Sequence, residues 1–96
     1  RKLSLQYSRN IYMQVLQLDD LDFCRITKKS ILTGKENVMF LPVTKAEVDA
    51  WLESGDLVQD RFSHLSAVAR EFLSSGATYE EWKKIFPNCT EQWLGD

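Results

Sequence analysis

The chain is poor in the residues that most enzymes and metal proteins depend on. It has a single histidine, His64, and two cysteines, Cys24 and Cys89, in 96 residues. A nucleophilic triad needs a histidine held by a carboxylate and set beside a serine or cysteine. Asp60 and Ser66 are near His64 in sequence only, and a histidine just before a helix cap is expected to pack or bond to backbone. A structural zinc site needs four ligands, usually in closely spaced pairs. Cys24, His64 and Cys89 offer neither, so no metal and no cofactor are expected. The cysteines are also too sparse for the disulfide framework of a secreted mini-protein. Two free, partly buried thiols in a reducing cytosol are expected instead, and with them a cytoplasmic location.

Long apolar runs are missing too. None approaches the roughly 18 residues of a membrane-crossing helix. The start, "RKLSLQYSRNIYMQVLQL", is basic, but polar residues interrupt it, so it lacks the unbroken apolar stretch of a signal peptide. The chain does not begin with methionine, so a trimmed or partial product is expected, with Met13 a conceivable internal start. Phosphate-loop chemistry lacks its framework: "TGK" stands without the preceding glycine and its four-residue spacer. The paired acids Asp19-Asp20 and Glu80-Glu81 are adjacent and so point apart, whereas glycosidase-type chemistry needs opposed carboxyls. Glu80-Glu81 reads as the acidic first turn of a helix.

What is present is the composition of one soluble domain: 44% hydrophobic, 27% charged, with a net charge of −2. A chain of this size buries roughly 60–65% of its unfolded surface. The charge is uneven. Residues 1–35 carry seven Lys/Arg and three Asp; residues 36–96 carry five Lys/Arg and eleven Asp/Glu. The acidic second part repels phosphate, which argues against an extended nucleic-acid footprint there.

Period-two spacing of apolar residues predicts strand over residues 3–18. Leu3, Leu5 and Tyr7 form one run; Ile11, Met13 and Val15 form another. "SRN" between them could make a hairpin, or one bent strand could span both. Residues 23–43 predict a second hairpin around "TGKEN", with Pro42 at a strand end or edge. The period then changes to helical. Thr44 to Glu47 is a capping box, with Val43 and Val48 as its staple. Val48, Trp51 and Leu52 form a stripe, and Gly55 ends the helix. "DLVQDRF" reads as a connector. Ser66 caps a second helix, whose Val68, Ala69, Phe72 and Leu73 line one face and which Gly76 closes. Thr78 to Glu81 is a second capping box, Trp82, Ile85 and Phe86 make the next stripe, and Pro87 stops it. The tail predicts a last turn with Thr90 as cap and Trp93 packing back. Both helical faces are expected to turn inward on one sheet.

From about residue 25 to 86 the string resembles a group of small proteins of bacteriophages, plasmids and bacterial genomes. The shared pattern reads here "KKSILTG", "LPVT", Trp51, "GDLVQD", "HLS", "REFLSSG" and "T-x-EEW-xx-F". The resemblance implies a short hairpin followed by small helices, and no activity. Residues 1–22 lie outside it. Val68-Ala69 and Asp60-Arg61 depart from it, so a partner meeting those positions would differ.

The sequence therefore predicts a single α+β domain: a small antiparallel sheet of three or four strands in two hairpins, covered on one face by two or three short helices. It predicts a non-catalytic accessory protein, phage-like, that binds a protein partner or itself. The candidate interface is Leu3, Leu5, Tyr7, Ile11, Met13 and Val15, an edge through which a homodimer could form. Three tryptophans are core by default and interface anchors otherwise. The alternative is a nucleic-acid-binding regulator using Arg25, Lys28, Lys29 and Lys35 on the hairpin. No membrane partner is expected.

Overall fold

Strands form where apolar residues alternate, and the polar positions of each strand then fall on the opposite face. The computed structural model describes residues 13–18, 22–91 and 94. Strands β1 (Met13–Gln17), β2 (Cys24–Lys29) and β3 (Glu36–Leu41) make an antiparallel sheet in the order β1-β2-β3. The register pairs Val15 with Ile26 and Ile26 with Met39 on one face, and Leu16 with Arg25 and Arg25 with Phe40 on the other. The expected first hairpin lies almost wholly outside the described residues. The second is present, with its reversal slightly earlier than "TGKEN". Ser30 N–H donates to Lys35 O (2.9 Å) and Gly34 N–H to Ser30 O (2.9 Å), so Glu36 and Asn37 already belong to β3. Pro42 follows β3 directly, where its missing N–H costs no ladder bond.

Four helices follow rather than two or three: α1 (Lys45–Ser54), α2 (Val58–Arg61), α3 (Ala67–Ser75) and α4 (Tyr79–Ile85). The extra one, α2, is a single turn inside the predicted connector, held by an Arg61–Asp56 ion pair of 2.7 Å. Both capping boxes form. Thr44 Oγ1 accepts from Glu47 N–H (3.1 Å) while Glu47 Oε1 accepts from Thr44 N–H (2.8 Å). Thr78 and Glu81 repeat this at 3.2 and 3.1 Å. Ser66 accepts from Ala69 N–H (3.1 Å). Each such cap contributes about 1 kcal/mol, a large share for helices too short to persist alone.

The inner sheet face meets α1 to α3. Cys24 and Ile26 of β2 pack with Val43, Val48, Trp51, Phe62, Leu65, Ala69, Phe72 and Leu73 in one buried cluster, with half-buried Met13, Val15 and Met39 against it. Phe62 meets Trp51 edge to face at 5.7 Å. Each fully buried Phe or Leu stabilises by about 1.5–3 kcal/mol. Helix α4 departs from expectation. Its Trp82 sits in a second cluster with Ala77, Cys89 and Leu94, flanked by Leu32, Ala67, Val68 and Phe86. Helix α3 is thus apolar on two sides: Ala69, Phe72 and Leu73 face the sheet, while Val68 belongs with α4. Leu94 N–H bonds to Thr90 O (3.2 Å), making the predicted last turn; Trp93 lies outside the described residues.

Candidate functional site

The helices cover one side of the sheet, which leaves the other to be read as a surface. On β2 the pleat sends Cys24, Ile26 and Lys28 inward and Arg25, Thr27 and Lys29 outward. Across the outer face, Arg25 stands between Leu16 of β1 and Phe40 of β3. The next row is Gln14, Thr27 and Val38. Phe23, one residue before β2, falls on the same face by the pleat. Phe40 is 60% exposed, Leu16 50%, Val38 49% and Phe23 42%. Such large apolar groups usually go inside; here four of them share one face. Among the described residues, no hydrogen bond or ion pair reaches the Arg25 guanidinium.

The predicted basic ribbon does not stand as one surface. Lys28 is only 2% exposed. Its Nζ donates to Leu73 O (2.9 Å) and Ser74 O (3.1 Å), two carbonyls in the last turn of α3. This corrects its assignment as a nucleic-acid contact. The reason is the pleat: Lys28 shares parity with Cys24 and Ile26, and α3 has no basic residue in its last turn to neutralise the negative end of its dipole. Arg25 and Lys29 remain outward on β2, and Lys35 sits exposed in the turn.

The same neighbourhood completes the accounting of the α3 terminus. Ser75 O accepts from Ile31 N–H (3.0 Å), and Gly76 O accepts from Asn37 Nδ2 (2.9 Å). Asn37 Nδ2 also donates to Glu81 Oε1 (3.1 Å), and Thr33 Oγ1 donates to Glu81 Oε2 (2.8 Å). Burial raises the Glu81 carboxyl, but hydrogen bonds from Asn37, Thr33, Ser30 and the Thr78 N–H outweigh it and hold the acid below the ordinary glutamate value. Glu81 thus serves as a cap and as a tie to the hairpin. The groove beside it, about 310 Å³ and open, is lined by Thr33, Lys35, Asn37, Thr78, Glu80, Glu81 and Lys84.

His64 is exposed, and its Nε2 donates to Pro42 O (3.1 Å) with its ring tilted against Phe62. That is the backbone role expected of it. Cys24 and Cys89 are free and buried. Burial, then the Glu47 charge, push the Cys24 thiol up, away from the thiolate that reacts. Among the described residues no cluster of His, Cys, Asp and Glu could hold a metal ion, and no helix is long and apolar enough to cross a membrane.

Of the candidate interface, Leu3, Leu5, Tyr7 and Ile11 lie outside the described residues. Met13 and Val15 point inward and pack on the main cluster. On the outer face of β1 it is Leu16 that is exposed. Sequence reasoning missed the outer face because it credited strand apolar residues to the core. The signal was available: "ENVMFL" is apolar at both parities, which is the mark of a strand with two faces to cover.

No protein-family model, curated protein or solved structure matches the chain. The resemblance to phage and plasmid proteins therefore rests on the quoted motifs alone.

Proposed function

We propose that the protein is a non-catalytic interaction module that binds a protein partner through the open face of its sheet. The observation that carries this reading is the row Leu16–Arg25–Phe40, with Val38 and Phe23 beside it, exposed on the face of the sheet opposite the one that the described helices cover. Aromatic and arginine side chains at the centre of an apolar patch are the usual anchors of protein interfaces. The polar residues that could have served a reaction are engaged elsewhere: His64 with Pro42, Glu81 with the hairpin, Lys28 with α3. A nucleic-acid track would need a run of outward cations, and the turning inward of Lys28 interrupts it.

The test is a comparison of wild type with Phe40→Glu as immobilised bait, read by quantitative mass spectrometry. Phe40 is exposed, so circular dichroism and melting should be nearly unchanged. A protein retained by wild type and lost with Phe40→Glu is the expected result. Identical profiles from the two baits would count against the reading.

A further inference from the structure

We propose that the open face takes an acidic, amphipathic peptide segment of the partner, with a carboxylate seated on Arg25; this rests on the reading of the face as a protein-binding surface. Arg25 is an exposed cation in the middle strand, with an apolar residue on each side of it in register and no ion-pair partner among the described residues. Leu16 and Phe40 are each one strand away, so they flank the guanidinium over a width of about 10 Å. Glu36, the acid on this face of β3, pairs in register with Lys29, four residues along from Phe40, which is about 13 Å.

A wholly apolar occupant would shut Arg25 away from water with no counter-charge, and an unpaired buried charge is strongly unfavourable. An occupant carrying one carboxylate between apolar side chains removes that penalty. It gains a two-pronged guanidinium–carboxylate contact strengthened by the surrounding apolar groups. Two copies stacked about this row would bring two guanidiniums together, which disfavours a second copy as the occupant. A single-stranded nucleic acid would find Phe40 and Phe23 to stack on, but only one unpaired cation in the row and a net-negative protein around it.

The experiment is selection of a random 12-residue peptide library on the immobilised full chain, with binding of the enriched peptides measured by fluorescence anisotropy. Enriched peptides should carry Asp or Glu between apolar residues. Arg25→Gln should weaken them about tenfold or more, as should amide replacement of the peptide's acid. Arg25→Glu should switch the selected charge to Lys or Arg, and Phe40→Glu should abolish enrichment. Phe40-dependent peptides with no acidic preference would overturn this inference and leave the binding face standing. Enrichment indifferent to Phe40, or none at all, would overturn both. Two further results would assign the face elsewhere. One is salt-sensitive binding of an oligothymidine that is lost in Arg25→Gln and Phe40→Glu. The other is a concentration-dependent dimer in light scattering that is lost in Phe40→Glu.

Discussion

Two residues carry more of this fold than their size suggests, and each has a neighbour that serves as its control. Gly76 has φ near +75°, and a Cβ there would lie 2.3 Å from Lys29 O, a backbone atom that cannot swing aside. Gly55 has the same conformation (φ +78°) with nothing within 4 Å of its would-be Cβ. Alanine at Gly55 therefore meets only the left-handed penalty, about 1–2 kcal/mol. Alanine at Gly76 adds the clash and should cost about 2–5 kcal/mol in total. Urea titration of the two variants separates the terms. Equal losses would show that α3 can back away from β2. Lys28 and Lys29 make the second pair. Lys28→Met leaves the carbonyls of Leu73 and Ser74 without their charged donor and should cost about 1.5–3 kcal/mol. Lys29→Met, at an exposed position where any charge contact is screened by water, should cost less, within about 1 kcal/mol. The reverse order would return Lys28 to the surface and reopen the basic ribbon.

At the scale of elements, the parts of the fold set by local chemistry were legible and the parts set by competition between surfaces were not. Thr44, Ser66 and Thr78 cap their helices as their spacing to Glu47, Ala69 and Glu81 requires. Those bonds close within four residues, so the residues that make them can be read from one short stretch of sequence. The hairpin, the stops at Gly55 and Gly76, and the break at Pro87 are equally local. Helix α2 was missed because one turn has too few residues to display a period. The placement of α4 was missed for another reason. Val68 stands beside Ala69 in a stripe wide enough to serve two neighbours, and periodicity alone does not say which half meets the sheet. Lys28 was missed because a lysine in a strand is ordinarily exposed. Only the carbonyls of a helix more than forty residues later explain its burial. The candidate face follows the same rule: Arg25 was visible as a charge, but its apolar frame comes from the two strands that flank it.

At the scale of the molecule, α4 is joined to the hairpin by packing, through Leu32 in its cluster, and by one polar tie, Glu81. It caps α4, accepts from Thr33 in the turn, and shares Asn37 with the Gly76 carbonyl. Its carboxyl is held below the ordinary glutamate value, so the unfolded chain binds its proton more readily than the folded chain. The sign follows. The tie is fully present above the ordinary value, near 4.3, and weakens as pH falls through the folded value. Wild type should therefore lose stability on acidification below about pH 4.5, with part of that loss missing in Glu81→Gln. The difference between the two, taken from urea titrations at pH 3 to 6, isolates this group from the other carboxylates. Above pH 5 Glu81→Gln should be the less stable protein, and the gap should narrow as the pH drops. A gap that is constant across that range would mean that the Glu81 carboxylate takes no part through its charge, and that the hydrogen bonds of a neutral side chain suffice to hold α4 against the hairpin.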